Sequence, residues 1–316
     1  MVGVVVETPA DVATELTRLG AEVDAVVPAK RPGNLLIGSW NLRAFSGVAP
    51  TWAASATTSP QRDWRAVASI AEIVARFDVV AVQEVRRNVA ALRFLMDRLG
   101  GNWRVLTSDV TEGDAGNGER LTFLYDTTRV QPSGLVGELV LPTAVRARAI
   151  VQFARSPYAA SFTRGGVEFI LTTVHILWGS VSDRIPEIQA FAQWMRAWAD
   201  RKNDWNTNLL VLGDFNIDRH GNPLYDAFIE TGLFPPPELN DLPRTIFDDD
   251  KSAHFYDQIA WFTTNTNPVQ SLLRGLTYTN RGGSFDFPEH VYPGLGRDKL
   301  SWRISDHYPL WVEFAV

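Results

Sequence analysis

Short apolar runs without a polar face constrain the fold of this 316-residue chain more than any other sequence feature. Residues 209–212 are all apolar, and so are residues 79–82. Strands of this kind need cover on both faces, because a sheet face that meets water carries polar residues at alternate positions. Helical patterns lie between the runs. Two β-sheets packed face to face, with helices outside each, would cover every apolar face.

The spacing of apolar residues predicts the individual elements of this fold. Helices are predicted from Asp11 to Val27, from Asp63 to Phe77, from Asn88 to Gly100, after Asp183 and from Pro223. Strands are predicted over residues 35–40, 78–83, 121–125, 149–153, 167–175, 209–213, 259–262 and 310–314. We therefore expect an α+β protein, a four-layered α/β sandwich in which helices flank two packed β-sheets. Residues 1–33 are predicted to form an N-terminal helical extension, and residues 34–316 a single domain.

The amino-acid composition excludes several classes of protein. The chain is 45% hydrophobic and 21% charged, which is typical of globular proteins. It has no apolar stretch of the roughly 20 residues that span a membrane, and its first residues do not resemble a secretory signal. The absence of cysteine excludes a disulfide scaffold, a thiolate zinc site and a cysteine nucleophile. We expect a soluble, cytoplasmic protein without membrane contact or an obligate protein partner, and the oligomeric state is left open.

Polar residues stand where predicted strands end, a position in which packing alone does not favour them: Asn41, Glu84, His175, Asp214 and Asn216 follow strands, and Asp306 and His307 precede the last strand. A hard divalent cation takes carboxylate and amide oxygens, and an adjacent histidine can move a proton. Each residue alone has an ordinary explanation as a solvated strand end, a turn residue or a surface histidine. Their joint occurrence favours one site that binds a metal ion and transfers protons.

Six short motifs, in a fixed order, make the chain similar to a known family. They are Trp40-Asn41-Leu-Arg43-Ala-Phe45, Gln83-Glu84-Val-Arg86, Thr173-Val-His175, Gly213-Asp214-Phe-Asn216, the weaker Tyr256-Asp257-Gln-Ile259, and Ser305-Asp306-His307-Tyr-Pro309. From residue 34 to residue 316 the chain resembles the endonuclease/exonuclease/phosphatase superfamily, and within it the deoxyribonuclease I type. The resemblance implies a catalytic domain whose site lies at one rim of the two sheets and which hydrolyses phosphoesters with Mg²⁺ or Mn²⁺.

The resemblance also implies which residues bind the metal ion and face the phosphate. Asn41, Glu84 and Asp306 would be ligands of the ion or lie next to it. Asp214 and Asn216 would face the phosphate and the attacking water.

Two histidines would transfer the protons. The resemblance places His175 and His307 on opposite sides of the scissile phosphorus, one taking a proton from water and the other donating one to the leaving oxygen. Asp257 would orient His307, and Asp109 would be the partner of His175. An imidazole suits both tasks, because its ordinary pKa lies near neutral pH.

Arginines are the predicted contacts of the substrate phosphates. Arg43 and Arg86 match positions that touch DNA phosphates in deoxyribonuclease-like members, and Arg146 or Arg148 is a third candidate. A planar guanidinium can pair with two phosphate oxygens at once. The net charge of −6 disfavours binding of a polyanion through overall charge, but a local cluster of arginines can still attract an anionic substrate.

Three functions remain open at this point. The first is a nuclease for DNA, with RNA as the other polymer, and the arginines favour it. The second is a phosphatase or phosphodiesterase for a small or lipid-derived phosphoester, since the fold supports both. The third, a non-catalytic module, is disfavoured because every expected position is filled. Residues 275–303, rich in glycine, arginine and aromatic residues, would stack bases, line a small-molecule pocket or pack as a surface loop.

Overall fold

The computed structural model describes residues 7–112, 116–142, 152–248, 254–264 and 270–316. In this part of the chain the strands are β1 (Asn34–Phe45), β2 (Val79–Arg86), β3 (Trp103–Thr107), β4 (Glu119–Asp126), β5 (Gln131–Glu138), β6 (Tyr158–Arg164), β7 (Val167–His175), β8 (Leu209–Asp214), β9 (Leu233–Phe234), β10 (Asp257–Phe262), β11 (Thr277–Ser284) and β12 (Leu310–Ala315). The helices are α1 (Ala10–Val26), α2 (Trp64–Val74), α3 (Ala90–Leu99), α4 (Val181–Ala199), α5 (Pro223–Ile229) and α6 (Arg297–Arg303).

The strands form two mixed sheets, ordered β11-β12-β1-β2-β4-β3 and β5-β6-β7-β8-β10-β9. In the first sheet β1 is parallel to β2, and their outer neighbours β12 and β4 are antiparallel to them. In the second, β7 is parallel to β8, and β10 is antiparallel to β8. The carboxyl ends of the parallel strands and the amino ends of their antiparallel neighbours therefore lie along one rim of each sheet. A buried hydrogen bond from Gln83 to Thr173, 2.9 Å long, joins the two rims. We call this joint edge the shared rim.

Three apolar layers hold the sheets and helices together. Between the sheets lie fully buried side chains from both, among them Leu35, Phe123, Phe162 and Leu210. A second layer packs the first sheet against α1, α2 and α3, and a third packs the second sheet against α4 and α5. The order helices, sheet, sheet, helices confirms the predicted α+β four-layered sandwich.

Most helices begin where the sequence predicts. Asp63 caps α2 by accepting a hydrogen bond from the backbone N–H of Ala66 at 2.9 Å. Asn222 caps α5, whose first residue is Pro223, a favoured residue at that position. The predicted start of α4 is wrong, because the helix already begins at Val181 and its first turn contains Asp183.

Several strands lie outside the sequence prediction, namely β3, β5, β6, β9 and β11. Four of these, β3, β5, β9 and β11, are the edge strands of the two sheets, and two of the four contain residues that weaken a strand pattern, Pro132 and Gly134 in β5 and Gly282 in β11. Such residues are tolerated at edges. Of the strand predicted over 149–153, residues 152 and 153 are not in a strand, and the others lie outside the described residues.

The predicted N-terminal helix is present as α1, and it packs onto the main body. Leu19 and Val23 are fully buried in the same apolar layer as α2. Arg65 of α2 also forms an ion pair with Glu15 of α1 at 2.5 Å. The division at residue 33 stays a prediction. No helix in the described part of the chain is both long and apolar enough to span a membrane.

Candidate active site

The predicted site residues meet at the shared rim. Asn41, near the end of β1, donates a hydrogen bond from Nδ2 to Oδ2 of Asp214, at the end of β8, over 3.0 Å. His175 is the last residue of β7 and lies beside Asp214 in the parallel register. Asp257 opens β10, and His307 precedes β12. Strand ends from both sheets therefore bring these five side chains to one place.

Gly213 permits the close approach of β8 to β7 that positions Asp214. Its φ is 135°, and a Cβ atom at this residue would lie 2.2 Å from the carbonyl oxygen of Val174. Only glycine fits there. Beyond it, Asp214 Oδ1 accepts a hydrogen bond from the backbone N–H of Asn216 at 2.9 Å, and Asn216 Nδ2 donates to the carbonyl of Ile176 at 2.7 Å. The buried Asn216 thus holds the turn that presents Asp214.

Two histidines approach the same oxygen of Asp214. The distance from Oδ2 of Asp214 to Nε2 is 3.6 Å for His175 and 3.8 Å for His307. The other ring nitrogen of each histidine lies 2.7 Å from a buried carboxylate, Glu119 Oε2 for His175 and Asp257 Oδ2 for His307. A carboxylate at Nδ1 fixes the orientation and tautomer of an imidazole and leaves Nε2 to act on a substrate.

The environment of His175 and Glu119 favours the charged form of both. Burial and the Arg155 guanidinium act to lower the pKa of His175, but the hydrogen bond to Glu119 and the charges of Glu119 and Asp214 outweigh them and raise it. Burial disfavours ionisation of Glu119, yet the hydrogen bond from His175 and the charges of His175, Arg155 and Arg86 lower its pKa to about 2. An imidazolium–carboxylate pair results.

His307 is surrounded by acidic groups. Burial acts to lower the pKa of His307, but the charges of Asp257 and Asp214 and the hydrogen bond to Asp257 raise it well above its ordinary value. Burial raises the pKa of Asp257 to about 6 against the opposing effect of His307. The indole N–H of Trp40 donates to the carbonyl of His307 at 2.7 Å and fixes its backbone. His307 is therefore a fixed ring that favours the cation.

The predicted partner of His175, Asp109, is wrong. The Asp109 carboxylate accepts a hydrogen bond from the backbone N–H of Val110, whereas Glu119 contacts the ring of His175. The reason is the strand order, since β4 lies between β2 and β3. Glu119 opens β4 opposite Arg86 of β2, while Asp109 follows β3 at the edge of the sheet, one strand farther out.

The predicted metal ligands present oxygen donors of the kind that magnesium prefers. Glu84 Oε2 accepts the backbone N–H of Ala44 at 2.7 Å, and both residues have a positive φ, which is uncommon outside glycine and is often found at functional sites. Asn41 Oδ1 accepts the backbone N–H of Arg43 at 3.1 Å. Asp306 Oδ1 is buried without a hydrogen-bond partner.

Two carboxylates and one amide fit an ion that keeps several of its waters, as Mg²⁺ usually does. No three histidine, aspartate or glutamate side chains of the described ranges are grouped so as to hold a metal ion. The candidate set does not need such a group, because one of its three members, Asn41, is an amide.

Two of the predicted phosphate contacts lie beside these carboxylates. Nη1 of Arg43 is 3.3 Å from Oδ2 of Asp306, and Nη2 of Arg86 is 3.4 Å from Oε2 of Glu84. The side chains are 25% and 23% exposed, respectively, so both guanidinium groups reach solvent at the rim. The remaining candidates, Arg146 and Arg148, lie outside the described residues.

Three charged residues next to the site were missed by the sequence analysis: Glu119, Arg155 and Arg62. Arg155 Nε lies 2.7 Å from Glu119 Oε2. Arg62 is 3% exposed and donates to the backbone carbonyls of Leu42 in β1 and of Arg303 at the end of α6. Glu119 could have been found from topology, because the start of a strand antiparallel to β2 must lie where β2 ends. No local pattern distinguishes the two arginines.

Comparison with known proteins decides the family. Residues 38–307 match the model of the Endonuclease/Exonuclease/phosphatase family. The chain belongs to this family. The match agrees with the motifs and the four-layered fold, and it makes the protein a phosphoester hydrolase of a family that uses divalent metal ions.

The chain is also similar to individual proteins of known name or structure. The chain is 28% identical over 301 residues to a deoxyribonuclease of Thioalkalivibrio sp. (strain K90mix), covering 92% of this chain and 73% of that protein. It is 24% identical over 294 residues to deoxyribonuclease-1 of Bos taurus, covering 88% and 92%. A family protein of Bacteroides thetaiotaomicron has a similar structure, with a TM-score of 0.60, 20% identity, and coverage of 90% of this chain and 98% of that one. That structural likeness shows the fold alone.

Proposed function

We propose that the protein is an endonuclease that hydrolyses phosphodiester bonds of DNA with Mg²⁺ or Mn²⁺. One observation carries the proposal: two imidazoles, each backed by a buried carboxylate, direct Nε2 toward the same oxygen of Asp214. General acid–base catalysis needs two such groups, one to activate water and one to protonate the leaving oxygen.

The two histidines and Asp214 would have different roles in the reaction. The raised pKa values of His175 and His307 favour the acid form, which donates a proton to the leaving oxygen. The ring that activates water must first lose its own proton. Asp214, between the two rings, can orient the attacking water by accepting a hydrogen bond from it, and Asn216 keeps that carboxylate in place.

Asn41, Glu84 and Asp306 would hold the metal ion, because they supply an amide oxygen and two carboxylates at one end of the site. Held by these residues, a divalent cation would supply positive charge against the negative charge that develops on the phosphoryl oxygens. Arg43 and Arg86 would bind phosphates on either side of the bond to be cleaved, since their guanidinium groups lie beside the ligand carboxylates and reach solvent.

DNA is favoured as the substrate by these arginines and by the 28% identity to a deoxyribonuclease over 92% of the chain. The test compares supercoiled plasmid, RNA and a panel of small phosphomonoesters and diesters, each with Mg²⁺, Mn²⁺ or EDTA. We expect nicked plasmid in the presence of metal and none with EDTA. Phosphate released from small esters without any nicking would instead indicate a phosphatase.

The histidines provide the matched variants. His175→Ala and His307→Ala should each slow nicking by roughly 10²-fold or more, as expected when a general acid or base is lost. His290→Ala is the control, because this ring stacks on Phe285 and its carbonyl is near Arg18 of α1. Nicking at the control rate in both site variants would refute the proton-transfer roles.

A further inference from the structure

Two tryptophans beside the candidate site are exposed to solvent. Trp178 is 66% exposed and Trp302 is 50% exposed, whereas Trp40 at the same rim is fully buried. Single exposed apolar side chains are common on protein surfaces, so the position of these two indoles beside the candidate site matters more than their exposure alone. Trp178 follows β7 of the second sheet, and Trp302 lies in α6, just before the segment that leads into β12 of the first sheet.

The backbone around Trp178 is fixed, although the side chain projects into solvent. The N–H of Ile176 donates to the carbonyl of Asp214 at 2.9 Å, and the carbonyl of Ile176 accepts from Asn216. The N–H of Leu177 donates to the buried carboxylate of Glu187 at 2.9 Å. These bonds tie the segment to the turn that carries Asp214. The exposed indole is therefore held in a defined place rather than on a loose loop.

Ring contacts connect Trp178 with the catalytic histidine. Its ring centroid lies 5.9 Å from that of Tyr256, in an edge-to-face arrangement. The ring of Tyr256 is in turn 5.8 Å from that of His307. The guanidinium carbon of Arg184 lies 5.5 Å from the centroid of the Trp178 ring and covers part of it. A flat ligand on the exposed remainder of that ring would thus lie two rings away from the proton-transferring group.

Trp302 occupies the corresponding position beside the metal ligands. It lies between Ser301 and Arg303, both buried, and Arg303 is anchored to Asp63 at 3.1 Å. The guanidinium carbon of Arg43 lies 4.1 Å from the centroid of the Trp302 ring. Arg43 also contacts Asp306. The second exposed indole is thus built into the group that would bind phosphate.

We propose that Trp178 and Trp302 are stacking platforms for the two bases that flank the scissile phosphate, so that the preferred substrate is DNA with unpaired bases at the cleavage point. This inference rests on the proposed nuclease function. The two indoles stand at different places beside the site, Trp178 after β7 of the second sheet and Trp302 in α6 ahead of β12 of the first, so each can receive one of the two bases that flank a phosphate. In a regular duplex the base faces are covered by their neighbours and cannot stack on protein, whereas in single strands they are accessible.

The test uses a single-stranded DNA oligonucleotide with one natural phosphodiester among phosphorothioate linkages, cleaved in Mg²⁺. The nucleotides on each side of that bond carry a base or are abasic. Trp178→Ala and Trp302→Ala should each lower kcat/KM on the normal oligonucleotide by about tenfold or more, the effect of losing one base stack. Each variant should then be insensitive to removal of the base on one side, because base and indole form the same contact. Trp178→Phe and Trp302→Phe should keep most of the activity.

Trp205→Ala is the matched control. This tryptophan is 39% exposed, and its indole N–H donates to Glu168. It precedes the amino end of β8, whereas Asp214 is at the carboxyl end of that strand. If wild type cleaves the oligonucleotide and both alanine variants behave like the control, the stacking proposal is overturned and the nuclease function stands. Equal losses on normal and abasic oligonucleotides would also overturn it, because they would reflect distortion rather than stacking. If wild type cleaves no nucleic acid, the proposed function itself fails.

Discussion

Oε2 of Glu119 lies 2.7 Å from Nδ1 of His175, although the two residues are 56 positions apart in the sequence. The contact crosses from the first sheet to the second, and the Glu119 side chain is 1% exposed. A carboxylate so deeply buried is costly unless it is paired, and here it is paired with His175 and Arg155. The contact therefore both joins the sheets and orients the ring.

Glu119→Gln should lower kcat for DNA cleavage by roughly 10²-fold while the fold is kept, because the amide is isosteric but no longer supports the imidazolium. Plasmid nicking and circular dichroism would measure the two effects. Asp109→Asn is the control, and it should leave the rate unchanged, since the Asp109 carboxylate accepts a hydrogen bond from the backbone N–H of Val110 and does not contact His175. A larger loss in Asp109→Asn than in Glu119→Gln would restore the pairing that the structure contradicts.

The same pair predicts how stability depends on pH. The lowered pKa of Glu119 stabilises the fold above its ordinary value of 4.5, and this contribution is lost as pH falls toward about 2. The raised pKa of His175 stabilises the fold below its ordinary value of 6.5, and this contribution is lost as pH rises through the pKa in the folded protein. The free energy of unfolding of wild type should thus exceed that of Glu119→Gln by the largest amount between pH 4.5 and pH 6.5, the ordinary pKa values of the two groups.

Urea unfolding of both proteins at about pH 3, 5.5 and 9 would measure this window. The difference between wild type and Glu119→Gln should be largest at the middle pH and smaller at each end. A difference that is as large at about pH 9 as at about pH 5.5 would show that Arg155 and Arg86, rather than His175, are the partners that matter for Glu119.

Glu84→Ala should abolish metal-dependent cleavage and leave the fold intact, because the residue lies at the end of β2 rather than in an apolar layer. Calorimetric titration of Mn²⁺ provides a readout that does not depend on turnover, and its binding signal should weaken. The control is Glu112→Ala, whose carboxylate is 73% exposed and paired with Arg87. Near-normal turnover of Glu84→Ala in magnesium would show that Glu84 is not a ligand.

Much of the site could be predicted because sheet topology follows a simple rule. His175 and Asp214 are the last residues of their strands and Asn41 and Glu84 lie near the carboxyl ends of theirs, and parallel strands of one sheet end at one rim. Apolar runs revealed those strands because they are buried on both faces. The edge strands β5 and β11 could not be found in this way, since one side of each is exposed and the chain there contains glycine.

The partners of the site residues could not be predicted from local pattern. Glu119 is the first residue of β4 and precedes the strand predicted over 121–125, and its role depends on which strand pairs with β2, which local sequence does not show. Arg155 and Arg62 lie in loops, where no periodicity marks a buried residue. A buried charged residue is stable only where surrounding groups pair with it, and these groups come together only in the folded chain.

Arg62 tests how much a buried charged residue depends on the groups around it. Its guanidinium donates to the carbonyls of residues 42, 43 and 44 at the end of β1 and of residues 303 and 304 before Asp306, over 2.9 to 3.2 Å. Burial lowers the pKa of Arg62 to about 10. Arg62→Met keeps the approximate length of the side chain but leaves these carbonyls without a donor. The free energy of unfolding should therefore fall by about 3 kcal/mol or more.

Arg62→Lys, which retains the charge and some donors, should lie between Arg62→Met and wild type in urea unfolding. Arg201→Ala is the control at an exposed arginine, and it should change the free energy of unfolding by no more than about 0.5 kcal/mol. If Arg62→Met unfolded at the same urea concentration as wild type, these hydrogen bonds would contribute nothing to stability. The link between the Asn41 segment and the Asp306 segment would then have to come from Ser305, whose hydroxyl donates to the carbonyl of Asn41 at 2.5 Å.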